Sequence, residues 1–231
     1  MKIKYFKVTY IILIHLFLIT VLIKYPYLYK NFSFTGETQT ELTKHYYQMT
    51  AFHNRADKNL TEEYNLFIGD SLVQGLAVTS VDNMSVNYGI GSDTTLGVIK
   101  RLPLYNSIYK ARSIILSIGH NDIGIRPIND IINNFKNIIE YLPSDKKIII
   151  CAIFLIDENI KHGKISNLEI KKLNNEIIAL TQNYVHITYL DINQRIAPDG
   201  SLSSSFHLGD GVHLNKKGYD IWIEELKIAL Q

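Results

Sequence analysis

Apolar positions along this chain follow two patterns. Runs of strand length without polar alternation recur at Leu66 to Ile68, Met84 to Asn87, Ser113 to Ile118, Ile148 to Leu155 and His186 to Asp191, and each reads as a strand. Between them the apolar spacing is helical: Leu96, Ile99 and Leu102 in one segment, Ile128, Ile131, Ile132, Phe135, Ile138, Ile139 and Leu142 in a second, Ile170, Leu173, Ile177 and Leu180 in a third. A closing helix from Asn215 to Leu230 gathers Tyr219, Trp222, Ile223 and Leu226 on one face, with Asn215 placed to cap it. Strands that are apolar throughout and alternate with helices predict a parallel sheet covered on both faces. The expected fold class is α/β, a three-layer α/β/α sandwich around a central five-stranded parallel sheet.

The front of the chain follows a different pattern. Lys2, Lys4 and Lys7 precede an uncharged run from Val8 to Ile23 that closes at Lys24 and Pro26. The run is short for a hydrocarbon layer of roughly 30 Å, but Tyr5, Phe6, Tyr25 and Tyr27 suit the interfaces and the lysines can snorkel. Bulky Leu22-Ile23-Lys24-Tyr25-Pro26 offers no small-residue cleavage site, so an uncleaved signal anchor is expected. The lysine-rich front then stays in the cytoplasm and the globular part lies outside. This divides the chain into a membrane helix at 1–30, a polar tether and lead-in at 31–63 and a globular domain at 64–231.

Composition narrows the function. A 46% apolar chain of 231 residues can bury a substantial core, and a net charge of +2 with scattered lysines gives no electrostatic footprint for nucleic acid. Cys151, the one cysteine, falls inside an apolar run and reads as core. Ser201 to Ser205 reads as a mobile loop.

In parallel sheets ligands bind outside the carboxyl ends of the strands, and the notable polar residues fall there. Ser71 follows the first strand, the Gly89 to Thr95 loop the second, and Gly119-His120-Asn121-Asp122 the third. A serine hydroxyl is a weak nucleophile that needs a base within hydrogen-bond reach and a third group to orient the base. Ser71, His213 and Asp210 fit those roles, since an Asp three residues before a His can reach Nδ1 and leave Nε2 for the serine. Attack puts charge on the carbonyl oxygen, for which the Ser71 amide, an amide within Gly89 to Ser92 and the Asn121 side chain are candidate donors. Asp93 reads as a cap near a helix start and Asp122 as support for the Asn121 loop. His207, Asp210 and His213 match no common metal-site spacing.

These blocks, in this order, resemble the SGNH hydrolase family of GDSL-type esterases and lipases over most of Asn65 to Leu226. Gly69-Asp70-Ser71-Leu72 resembles the family's first block, Asn87 to Thr95 its second, Gly119-His120-Asn121-Asp122 its third and Asp210-Gly211-Val212-His213 its last. The resemblance implies the flavodoxin-like SGNH fold, Ser71 as nucleophile, His213 as general base, Asp210 as its orienting carboxylate and Asn121 as an oxyanion donor. It implies no cofactor and no metal. Ser92 stands where many members carry the oxyanion-hole glycine, with Gly91 before it, and the amide of either is a candidate donor.

The expected function is hydrolysis of a small-acyl oxygen ester, with acetyl leading, on an envelope glycan or lipid. An O-acyltransferase, or a lysophospholipase or thioesterase, would use the same site. A noncatalytic glycan-binding domain on the hydrolase fold is the alternative from another class, disfavoured because all three triad residues are present.

Overall fold

The computed structural model describes residues 15, 42–61, 63–160, 163 and 165–231. The anchor expected over Val8 to Ile23 lies, His15 apart, outside them. Among the described residues no helix is long and apolar enough to cross a membrane. One compact unit runs from Leu42 to Gln231.

Five strands form one sheet: β1 (Asn65–Gly69), β2 (Ser85–Gly89), β3 (Ser113–Ser117), β4 (Lys147–Cys151) and β5 (Ile187–Leu190). Every pairing is parallel and the order is β2-β1-β3-β4-β5, as in doubly wound flavodoxin-type sheets. All five residues of β1 and of β3 are buried, which explains their unbroken apolar reading: both faces of these central strands are covered. Helices α1 (Lys44–Asp57), α2 (Ser71–Gln74), α3 (Thr95–Arg101), α4 (Ile128–Tyr141), α5 (Asn167–Thr181), α6 (Asn193–Ile196) and α7 (Lys216–Leu230) complete the regular structure. Asn215 caps α7 by accepting from the Lys217 and Gly218 amides, as its position in the sequence predicts.

Two segments differ from the expected boundaries. The lead-in at 31–63 contains α1, which belongs to the compact unit because Tyr46, Thr50, His53 and Asp57 bury one face of it. Asp57 accepts hydrogen bonds from the Tyr88 hydroxyl (2.8 Å), the Asn106 amide (2.7 Å) and the Ser107 hydroxyl, so the end of α1 is fixed to β2 and to the approach to β3. The second is β4, which stops at Cys151 although the buried run continues to Ile156. Beyond Cys151 three asparagines take over the work of a neighbouring strand. Asn174, Asn193 and Asn167 accept from the amides of Ile153, Leu155 and Ile156 at 2.8–2.9 Å, and their amide groups donate back to the Ile153 and Ile156 carbonyls. Buried backbone must be paired, and side chains can do it where no strand is available.

At the carboxyl ends of β1 and β2 lies a buried ion pair. Arg101 Nε donates to Asp93 Oδ2 at 2.8 Å, with both side chains fully buried. The same guanidinium donates to the Tyr88 carbonyl (2.8 Å), the Gly69 carbonyl (3.1 Å) and the Tyr105 hydroxyl (3.2 Å). Burial pushes the Asp93 carboxyl up to about 6, and Arg101, charged beside it, opposes that rise. Removing one partner of such a pair strands the other, at a cost of about 3–5 kcal/mol. Arg101→Met is expected to lower the unfolding free energy by about that amount in denaturant titration, and a loss under about 1 kcal/mol would refute this role.

Candidate active site

Ser71 opens the four-residue turn α2 directly after β1, and Asp70 caps that turn by accepting the Leu72 amide at 3.0 Å. The turn sits tightly on β2, where a Cβ at Gly89 would stand 2.1 Å from the Gln74 amide nitrogen. From the far side Tyr219 of α7 donates its hydroxyl to the Leu72 carbonyl at 2.9 Å. The serine is thus held by the sheet on one side and by the closing helix on the other.

The residues read from the sequence as a triad meet. Ser71 Oγ lies 2.9 Å from His213 Nε2, and His213 Nδ1 lies 2.6 Å from Asp210 Oδ2. Asp210 Oδ1 also accepts the Val212 and His213 amides at 3.0 and 2.9 Å, so carboxylate and imidazole share one tight turn. Burial alone would raise the Asp210 carboxyl. The Val212 amide, the His213 ring and the His213 amide outweigh it and hold the group down at about 2. An ionised Asp210 fixes the ring proton on Nδ1 and leaves the Nε2 lone pair toward the serine hydroxyl.

His207 braces that turn. Its Nδ1 accepts the Gly209 and Gly211 amides at 2.9 and 3.1 Å, so its ring proton sits on Nε2 and is donated to Asp157 Oδ2 at 3.2 Å. Both nitrogens are committed to protein partners. Among the described residues no group of His, Cys, Asp or Glu could hold a metal ion.

Besides the Ser71 amide, the donors expected for an oxyanion lie on two loops. Gly119, at φ 115°, turns the chain out of β3 in a conformation suited to glycine and presents Asn121, whose Nδ2 donates to the Asp93 carbonyl at 2.9 Å and keeps a second hydrogen. Buried Asp122 accepts the Thr95 amide (2.9 Å) and hydroxyl (2.6 Å) and pairs with Arg126, which supports its reading as the holder of this loop. Ser92 has φ 63°, the one non-glycine residue in the left-handed region among the described residues. A side chain there costs about 1–2 kcal/mol, and such conformations persist where the surroundings fix them. The Gly91 amide is engaged by Gln74 Oε1, whereas the Ser71 and Ser92 amides donate to no protein acceptor among the described residues. Asp93 is not the helix cap expected of it: Thr94 caps α3, and Asp93 pairs with Arg101 instead.

In the sequence Arg101 and Gln74 carry no assigned role, His207 stands only as a candidate metal ligand and Tyr219 only as core. An arginine beside Val98 and Leu102 on a predicted helix is the one available signal for Arg101. Gln74 and Tyr219 act through partners far away in sequence, as does His207 toward Asp157. A cavity of about 350 Å³ bounded by Lys171, Asn175, Asp191 and Gln194 contains none of the triad residues. A niche of about 10 Å³, bounded by Asp70, Leu72, His120, Ile153 and Phe154 among others, likewise contains none of the three.

Asp70 carries a testable signature. Burial pushes its carboxyl up to about 7, against the Leu72 amide, so the folded state holds a proton that the unfolded chain releases. Stability from this group is therefore present below the unfolded carboxylate range and declines as pH rises toward 7. Asp70→Asn keeps the cap and stays neutral. Its unfolding free energy relative to the wild type, read from denaturant titration at each pH, is expected to rise between pH 5 and pH 8 by on the order of 1 kcal/mol or more. An equal difference at both pH values would contradict it.

Comparison with known proteins agrees with this arrangement. Residues 61–221 match the GDSL-like Lipase/Acylhydrolase family. The chain is similar to a solved protein from Streptococcus pneumonia at 25% identity and TM-score 0.75, covering 82% of this chain and 94% of that one. It is also similar to a GDSL-like lipase from Bacteroides thetaiotaomicron (21% identity, 80% and 96% covered, TM-score 0.67). A third similar structure is the acetyl xylan esterase AlAXEase (18% identity, 73% and 100% covered, TM-score 0.61). No curated protein matches the chain. With the sheet order, the ordered blocks and the matched span in agreement, the chain belongs to the GDSL-like lipase/acylhydrolase family of esterases.

Proposed function

We propose that this chain is a serine esterase that removes a small acyl group, acetyl foremost, from an oxygen ester of an envelope glycan or lipid. The observation that carries the reading is the continuous line from Ser71 Oγ through His213 to Asp210, with contacts of 2.9 and 2.6 Å. His213 Nε2 takes the Ser71 proton as Oγ attacks the acyl carbon. The oxyanion forms toward the Ser71 and Ser92 amides and the second hydrogen of Asn121 Nδ2. His213 returns the proton to the leaving alcohol, then activates water to release the acid and free Ser71.

Three observations support the finer points. The His213 and Asp210 side chains are 42% and 47% exposed. An acyl-enzyme so open to water favours hydrolysis over transfer to a second alcohol. The AlAXEase likeness, in a protein named for acetyl xylan, accords with an acetylated glycan. The lysine-flanked apolar run Val8 to Ile23 supports anchorage in a membrane with the catalytic domain on the outer side.

Ser71→Ala is expected to abolish p-nitrophenyl acetate hydrolysis and fluorophosphonate labelling, and wild-type turnover by this variant would refute the mechanism. Across acetyl to octanoyl esters, kcat/KM is expected to fall at least about tenfold by hexanoyl; a preference for octanoyl would remove the small-acyl assignment. A C-terminal epitope is expected to be digested by protease added to intact cells, and complete protection would reverse the orientation.

A further inference from the structure

Gln74 ends α2, one turn beyond Ser71, and its side-chain carbonyl does two things. Oε1 accepts the Gly91 amide, and it lies 3.2 Å from His45 Nε2 of α1. The three groups are closely set: a Cβ at Gly91 would stand 3.0 Å from Gln74 Oε1 and 3.7 Å from His45 Nε2. The next residue is Ser92 in its left-handed conformation. The rest of this turn is tied from inside, by Ile90 N–H to the Gly69 carbonyl (2.9 Å), Asp93 N–H to the Ile90 carbonyl (3.1 Å) and Asp93 to Arg101. Gln74 supplies the tie on the solvent side. His45 is not a stray surface contact either, because the adjoining residue Tyr46 is buried, packs with Leu42 and Ile90, and donates its hydroxyl to the Gly97 carbonyl at 2.8 Å.

We propose that Gln74 and His45 form a clasp that selects the oxyanion amide. By taking the Gly91 N–H, Gln74 fixes the Ile90–Gly91 peptide with that donor already engaged, and leaves the Ser92 N–H, one residue on, as the donor open to the oxyanion. His45 donates Nε2–H to the same oxygen and so fixes which end of the Gln74 amide faces Gly91, since a flipped amide would oppose donor to donor at both contacts. Both are positioning residues, for neither touches the reacting atoms. The inference rests on the esterase reading and adds to it that α1, the segment ahead of the first strand, helps to set the oxyanion hole.

The test uses full-length protein and p-nitrophenyl acetate, with a boronic acid as a tetrahedral mimic on Ser71. Gln74 is exposed, so Gln74→Met keeps the length and removes the acceptor without opening the core. It is expected to lower kcat about five- to tenfold, the equivalent of one neutral hydrogen bond, and to weaken the boronic acid by a similar factor. KM should stay within about twofold and the melting midpoint should be unchanged. Gln74→Glu, which still accepts from both donors, is expected to remain within about threefold of wild-type kcat, and His45→Ala to fall between wild type and Gln74→Met. An active wild type whose Gln74→Met variant keeps full kcat and boronic acid affinity overturns the clasp alone, as does a loss confined to KM or to melting. A wild type that neither turns over the ester nor binds the boronic acid overturns the esterase reading and the clasp with it.

Discussion

The end of the sheet that carries Ser71 is organised around a buried positive charge. Arg101 donates to the last carbonyl of β1, beside the Ile90 amide that also meets it, to the Tyr88 carbonyl of β2 and to Asp93 in the turn that follows. One guanidinium thereby sets the spacing between the turn that carries Ser71 and the turn that carries Ser92. Taking a charge pair out of water is costly, and replacing it by apolar side chains can be neutral for stability. Its value here is positional, because an apolar residue could not hold two carbonyls and a carboxylate at fixed directions.

The other half of the site hangs on a different chain of supports. Asn167, Asn174 and Asn193 pair the backbone of Ile153, Leu155 and Ile156 where the sheet has ended, which carries the chain out to Asp157. Asp157 accepts from His207, and its own amide donates to the Gly211 carbonyl at 2.9 Å. His207 in turn gathers the Gly209 and Gly211 amides, and the turn so formed places Asp210 under His213. Ser71 is thus seated on the sheet, while His213 is suspended from a relay of side-chain to backbone bonds. Tyr219 joins the two halves through the Leu72 carbonyl.

Much of this was legible in the sequence, for identifiable reasons. The central strands were visible because both their faces are buried, and the triad because its chemistry admits few residue types in a recognisable order. The end of β4 was not, since a buried apolar run reads the same whether another strand or three distant asparagines satisfy its backbone. Asp93 was misread as a cap because capping is a local property, whereas its partner Arg101 lies a helix length away and faces inward. The choice between Gly91 and Ser92 stayed open in the sequence because it depends on which amide is already engaged, and Gln74, which takes the Gly91 amide, lies on another element.

The shallow setting of His213 and Asp210 has a consequence for what can be reached. At 2.6 Å and nearly half exposed, this carboxylate and ring meet at the surface and not at the bottom of a shaft. An ester group standing on a polymer or at the face of a bilayer can be met where it is, with the bulk of its carrier left in the solvent.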